Sequence, residues 1–77
     1  MKKILISDAV DKSCSEILRE SGYEVSFQPG IKRDELLNQI NQYNALIVRS
    51  ETHVDGKLLS LADKLEVVGR AGAGVDN

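Results

Sequence analysis

Two arginines stand where apolar runs of this sequence end. Arg49 and Ser50 follow the run "ALIV", and Arg70 follows "EVVG". The guanidinium group is a planar fork of donors that suits a carboxylate or a phosphate, and a hydrogen bond to a charged group contributes about 1.5 to 3 kcal/mol. Gly72, just beyond Arg70, would let backbone N–H groups approach a ligand closely. These residue types predict a pocket for a small anion.

The apolar runs before these residues have the length and composition of buried strands. Strands are predicted at residues 3–7, 23–27, 45–48 and 66–69. The first and third runs are almost uniformly apolar, as expected for central strands. The second alternates apolar and polar residues, which indicates an edge strand.

Amphipathic segments separate the strands and predict three helices. The first is expected to begin with the capping-box spacing of Ser13 and Glu16 and to end at Gly22. The second is expected from about Arg33 to residue 43 or 44, and the third has Asp55 as its N-cap. The apolar face of the first helix is expected to consist of Val10, Cys14, Ile17, Leu18 and Ser21.

The order β-α-β-α-β-α-β predicts an α/β fold with a parallel sheet and right-handed crossovers. Central first and third strands indicate the strand order 2-1-3-4, the flavodoxin-like arrangement. The first helix then lies on one face and the other two on the opposite face, which leaves part of the first face bare and the fold incomplete. Uncovered apolar surface forfeits about 25 cal/mol per Å² of burial, so we expect a homodimer or an exchanged element to cover it.

Ligands of open parallel sheets bind beyond the carboxyl ends of the strands. This rule places Ser7 and Asp8 beside Arg49, whose guanidinium either pairs with Asp8 or points at an anionic ligand. The competing interpretation is that Arg49 and Arg70 are surface residues paired with Asp8, Glu51 or Asp76. The sequence leaves both interpretations open.

The glycine-rich end of the chain is a weak match to a dinucleotide-binding loop. Gly72 and Gly74 satisfy G-x-G, but Asn77 stands where a third glycine or alanine belongs. His53 lies in a polar loop without a shaped cleft and is expected to be solvated. Cys14 has no second cysteine for a disulfide or a metal cluster, so we expect no bound metal.

Composition excludes several classes of function. Hydrophobic residues make up 42% of the chain and charged residues 29%, the balance of an ordinary globular domain. A net charge of −2 gives no general attraction for nucleic acid or anionic lipid. Neither a membrane span nor a secretory signal is visible, so we expect a cytoplasmic protein.

Three stretches resemble the amino-terminal region of the D-isomer-specific 2-hydroxyacid dehydrogenases. They are "KILISDAVD", "ALIVRSETHVD" and "KLEVVGRAGAGVDN", and the resemblance spans essentially all 77 residues. It implies that residues 1–77 are the N-terminal part of a flavodoxin-like substrate-binding domain, and that the NAD-binding Rossmann domain is absent from this sequence. The parent enzyme is then expected to use NAD to oxidise 3-phosphoglycerate, in the biosynthesis of L-serine.

The resemblance also implies roles for individual residues. Arg49 and Ser50 match positions that contact the phosphate and carboxylate side of the substrate. Arg70, Gly72 and Ala73 match the loop that lines the substrate and nicotinamide pocket. Ala73 stands where related sequences often have threonine, which leaves any nicotinamide contact to the backbone. The catalytic arginine, glutamate and histidine of the family belong to later segments, so the chain alone is expected to be inactive and to hold no cofactor.

Two alternatives from other classes remain. One is a non-catalytic folding or assembly module of the same fold. The other is a phosphoacceptor receiver domain, which shares the strand order and an aspartate that resembles Asp8. A receiver also needs an aspartate at the end of the third strand, where this sequence has Arg49.

Overall fold

The computed structural model describes residues 1–71 of the chain. Its strands are β1 (Lys3–Ile6), β2 (Glu24–Phe27), β3 (Ala45–Val48) and β4 (Val67–Arg70). Its helices are α1 (Lys12–Glu20), α2 (Arg33–Gln39) and α3 (Gly56–Leu61), with a 3₁₀ turn (Ile40–Gln42) after α2. The alternating order is confirmed, and each strand end lies within one residue of its predicted position.

The strands form one parallel sheet in the order β2-β1-β3-β4, as predicted. Ile4 of β1 pairs with Val25 of β2 on one side and with Ala45 of β3 on the other. On the far side of β3, Ala45 pairs with Val67 of β4. The edge position of β2 is confirmed, and β1 and β3 are central because their side chains are the most apolar.

The main core lies on the face covered by α2, the 3₁₀ turn and α3. Leu5 and Leu46 come from the two central strands and are fully buried. The buried members of this core are Leu5, Leu36, Ile40, Tyr43, Leu46, Val48, Leu58 and Ala62. Because both central strands contribute to it, this core also holds the carboxyl ends of β1 and β3 side by side.

The opposite face is only partly covered, as expected. Helix α1 packs against β2, so Ala45 and Ile47 of β3 are half-buried and Val67 of β4 is 58% exposed. A groove of about 300 Å³ lies between Leu18 of α1 and these residues, and Ile4 forms part of its floor. The sheet is therefore open on this side.

Two helix ends agree with their capping signals and two ends differ from the prediction. Helix α2 ends at Gln39 and not at residue 43 or 44, because the chain tightens there into a 3₁₀ turn. Asp55 caps α3 by accepting a hydrogen bond from the N–H of Leu58 at 3.0 Å. Gly22 has a φ of 96° just after α1, a conformation that glycine adopts at little cost. The predicted capping box at Ser13 is wrong, because Asp11 is the N-cap of α1 and accepts from the N–H of Ser13.

The buried face of α1 also differs from the prediction. Ile17 was assigned to it but is 61% exposed. Ser15 is buried instead, and its hydroxyl donates to the carbonyl of Lys12 at 3.1 Å. Cys14 and Leu18 are half-buried, so the inward side of α1 is the one that Cys14, Ser15 and Leu18 share, and Ile17 lies to one side of it. None of the helices in the described range 1–71 is long and apolar enough to cross a membrane.

Candidate functional site

The carboxyl edge of the sheet brings together the residues singled out in the sequence. Ser7 and Asp8 follow β1, Arg49 and Ser50 follow β3, and Arg70 is the last residue of β4. Ser7 and Asp8 are buried, whereas the other three residues are exposed. The predicted placement of both arginines on one edge is therefore what the structure has.

The carboxylate of Asp8 is the most heavily hydrogen-bonded group at this edge. Its Oδ2 accepts from the backbone N–H groups of Arg49 at 2.7 Å, Thr52 at 2.9 Å and Glu51 at 3.2 Å. Its Oδ1 lies 2.6 Å from the hydroxyl oxygen of Thr52, which donates to it. Asp8 thus meets Arg49 through the backbone and not through the guanidinium group.

Hydrogen bonding sets the ionisation of Asp8. Burial raises the pKa of the Asp8 carboxyl. The hydrogen bonds from Thr52, Arg49 and Glu51 together lower that pKa by more than burial raises it, so the net pKa lies below its ordinary value of 3.8. Asp8 is accordingly a carboxylate at neutral pH. An ionised carboxylate can only accept hydrogen bonds, so it has no proton to give a substrate.

The two arginines make their contacts with backbone carbonyls. Nη1 of Arg70 donates to the carbonyl of Arg49 at 3.0 Å, and Nη1 of Arg49 lies 3.4 Å from the carbonyl of Ala9. Within residues 1–71, the ion pairs present involve neither arginine. The interpretation that pairs them with Asp8 or Glu51 is therefore wrong for the described residues, and Asp76 lies outside these residues.

A shallow cavity of about 140 Å³ opens beside Arg49. It is lined by Asp8, Ala9, Arg49, Ser50 and Glu51. Pockets for drug-sized ligands measure roughly 300 to 1,000 Å³, so this cavity has room for an anionic group and not for a dinucleotide. The described residues also lack a glycine-rich turn leading into a helix, so they do not fit NAD. Gly72 and Ala73, which were expected to complete the pocket, lie outside the described residues.

A second polar cluster, which sequence reasoning missed, connects α2 to the start of α3. Nη2 of Arg33 lies 2.8 Å from each carboxylate oxygen of Asp55, and its Nη1 donates to the carbonyl of His53 at 2.9 Å. The hydrogen bond from the Leu58 N–H and then that from Arg33 lower the pKa of Asp55. The sequence predicts only that Asp55 begins a helix. It does not predict the contact with Arg33, because the two residues are distant in sequence.

The side chain of His53 is 81% exposed, and its Nε2 lies 4.0 Å from Asp55, so the predicted solvated loop histidine is confirmed. In the described part of the chain, no group of histidine, cysteine and acidic residues could hold a metal ion.

An open parallel sheet of flavodoxin-like order, with two exposed arginines at its carboxyl edge, defines an α/β domain of the kind that binds small ligands at that edge. More particularly, the chain belongs to the family described as "D-isomer specific 2-hydroxyacid dehydrogenase, catalytic domain", whose sequence pattern matches residues 4–77. The family resemblance seen in the sequence is confirmed.

Similar proteins support this assignment over the full chain. The chain is 44% identical over 77 residues to D-3-phosphoglycerate dehydrogenase of Sus scrofa and 37% identical over 75 residues to that of Archaeoglobus fulgidus. The alignments cover 100% and 97% of this chain but only 14% of each relative. The structure of NAD⁺-bound 3-phosphoglycerate dehydrogenase from Entamoeba histolytica superposes with a TM-score of 0.75 at 27% identity, covering 97% of this chain and 27% of that one.

Proposed function

We propose that residues 1–77 form the N-terminal part of the substrate-binding domain of an NAD-dependent D-3-phosphoglycerate dehydrogenase. The parent enzyme would oxidise 3-phosphoglycerate, a 2-hydroxy acid, in cytoplasmic L-serine biosynthesis. The observation that carries the proposal is the similarity to D-3-phosphoglycerate dehydrogenases along the whole chain. The anion-sized cavity at the sheet edge supports it independently.

The substrate carries a phosphate and a carboxylate, and the sheet edge offers donors for both. The guanidinium of Arg49 and the hydroxyl of Ser50 are placed beside the cavity and are proposed to bind one anionic group. Arg70 sits at the next strand end, against the Arg49 carbonyl, and is proposed to bind the other with Gly72. Each charge-assisted hydrogen bond would contribute about 1.5 to 3 kcal/mol before the costs of ordering.

The cofactor is proposed to be held mainly outside the described residues. In the parent enzyme NAD would accept the hydride of the 2-hydroxy acid, and Ala73 would contact the nicotinamide through its backbone. Because residues 1–71 do not fit a dinucleotide, the 77-residue chain alone is expected to be inactive and to bind no NAD. Appearance of NADH absorbance at 340 nm after mixing the chain with 3-phosphoglycerate and NAD would contradict this expectation.

The open sheet face is proposed to be covered by a second copy of the chain, or by an element exchanged between two copies. Val67 and the half-buried residues Ala45 and Ile47 supply the apolar surface for this contact. Light scattering across a concentration series tests it. A strictly monomeric chain at high concentration, with no binding of a hydrophobic dye, would refute it.

The binding function can be tested by titrating 3-phosphoglycerate into the ¹⁵N-labelled chain. We expect amide shifts at Ser50 and Arg70, and a dissociation constant that rises about tenfold or more in Arg49→Ala. Arg49→Lys is expected to recover only part of the affinity, because lysine lacks the bidentate fork. Arg19→Ala is the matched control, because Arg19 is an exposed arginine in the last turn of α1.

The outcome separates the proposal from its main alternative. Saturable binding that depends on Arg49 supports a functional half-site. Absence of binding up to tens of millimolar would favour the non-catalytic folding or assembly module. Incubation with acetyl phosphate followed by intact mass measurement tests the receiver alternative, which predicts a phosphorylated product.

A further inference from the structure

The carboxylate of Asp8 accepts hydrogen bonds from a loop that is distant from it in sequence. All four of its hydrogen-bond donors lie in the segment from Arg49 to Thr52, more than 40 positions later in the chain. Three of the donors are backbone N–H groups that converge on the single oxygen Oδ2. Backbone N–H groups that converge in this way form a concave site for an anion. Here the anion is a side chain of the protein itself.

This arrangement determines what the segment presents to solvent. Since the N–H groups of Arg49, Glu51 and Thr52 face inward to Asp8, the backbone must curl around the carboxylate. Arg49 and Ser50 line the 140 Å³ cavity together with Asp8, Ala9 and Glu51. Without the carboxylate, the three inward N–H groups would lose their shared acceptor.

The hydroxyl of Thr52 extends the same arrangement into the sheet. Because the Asp8 carboxylate can only accept, the Thr52 hydroxyl donates to it at 2.6 Å. The buried hydroxyl of Ser7 lies 2.7 Å from Thr52 Oγ1 and therefore donates to it. The segment is thus attached to the end of β1 by a directed chain of hydrogen bonds, Ser7 to Thr52 to Asp8.

This geometry does not support a catalytic role for Asp8. All of its bonds go to the protein, and it is 2% exposed. An ion-pair role also fails, because the Arg49 guanidinium turns to the carbonyl of Ala9. What remains is control over the shape of the Arg49–Thr52 segment.

We propose that Asp8, together with the Thr52 hydroxyl, is a positioning residue that holds the Arg49–Thr52 segment in the shape that presents Arg49 and Ser50 to an anionic group of the substrate. The proposal rests on the function proposed above, since it assumes that Arg49 and Ser50 bind such a group. It assigns part of the affinity of the sheet edge to a residue that acts through the backbone of the Arg49–Thr52 segment.

The test combines amide hydrogen exchange with binding of 3-phosphoglycerate in the 77-residue chain. In Asp8→Asn we expect faster exchange of the N–H groups of Arg49, Glu51 and Thr52, while the amides of β3 stay protected. We also expect the dissociation constant for 3-phosphoglycerate to rise about tenfold or more, because the segment no longer holds its donors in place. Asp11→Asn is the matched control, because it removes the same charge from the N-cap of α1, and its binding should change less than about twofold.

A second pair of variants keeps the test valid if Asp8→Asn does not fold. Thr52→Val retains the shape of the side chain and the backbone N–H but lacks the hydroxyl. Thr52→Ser retains the hydroxyl. We expect Thr52→Val to weaken binding and Thr52→Ser to restore most of it, a difference that a general loss of stability does not produce.

Folded Asp8→Asn and Thr52→Val chains with unchanged exchange and unchanged affinity would overturn the inference. Failure of the proposed function looks different, since the wild-type chain itself would then not bind 3-phosphoglycerate. In that case the proposed role in affinity falls with it. Slow exchange of the three amides in the wild type and fast exchange in Asp8→Asn would still support Asp8 as the residue that shapes the segment.

Discussion

Truncation of Leu58 to alanine should destabilise this domain far more than the same change at its neighbour Leu59. Both residues lie in the six-residue helix α3, but Leu58 is 0% exposed in the main core, whereas Leu59 is 49% exposed. Because the two substitutions are chemically identical and share a helix, differences in helix propensity largely cancel. The difference between the two variants therefore measures the effect of side-chain burial on the free energy of unfolding.

The magnitudes follow from that burial. Removing a buried leucine side chain costs about 2 to 5 kcal/mol, through lost transfer free energy and the cavity left behind. A chain of this length is expected to have roughly 4 to 12 kcal/mol of unfolding free energy, so Leu58→Ala would remove a large part of it. Leu59→Ala should cost about 1 kcal/mol or less.

Urea unfolding followed by circular dichroism measures the difference. With a slope of about 1 kcal/mol per molar urea, the unfolding midpoint should fall by about 2 M or more in Leu58→Ala and by about 1 M or less in Leu59→Ala. Measurements at two protein concentrations separate any contribution from self-association. Equal midpoints for the two variants would show that α3 does not pack on the sheet as described.

Three further predictions concern pH and glycine. The folded-state pKa of Asp8 lies below its ordinary value of 3.8, so its carboxylate stabilises the fold above that pH. This stabilisation is lost as the pH falls from about 3.8 through the lower folded-state pKa. Acid unfolding should therefore be less steep in Asp8→Asn than in the wild type. Gly22→Ala should lower the unfolding free energy by about 1 kcal/mol in urea unfolding, because alanine is strained at a φ of 96°. Gly69→Ala should raise the thermal midpoint of unfolding slightly or leave it unchanged. The new Cβ would meet only the Cδ1 of Ile47 at 3.2 Å, on the open face where that side chain can move. A clear loss of stability would show that this face is more tightly filled than described.

Much of the fold was readable from local patterns. Runs such as "ALIV" have no polar residue to place in solvent, so β3 had to be a central strand. Asp55 was recognisable as a cap because an N-cap acts on a residue three positions later. Short alternating elements and the right-handed crossover rule then left few topologies, and the strand order 2-1-3-4 was among them.

Local patterns misled where two signals competed. Asp11 and Ser13 are both good N-cap residues, and only the packed helix shows that Asp11 takes the role. The helix also buries Ser15 and exposes Ile17, an outcome that depends on which side of α1 packs on the sheet. The sheet edge was located correctly, because the carboxyl ends of parallel strands always meet on one side.

The strands and the topology of this protein follow from short-range sequence patterns. The sequence therefore predicts the strands and the position of Arg49 at the sheet edge. It does not predict the partners of Asp8, because hydrogen bonds between residues more than 40 positions apart depend on how β1 and β3 align. A carboxylate does not reveal in the sequence whether it will meet a guanidinium or a backbone N–H. That choice is made only when the chain folds and the two strand ends come within hydrogen-bonding distance.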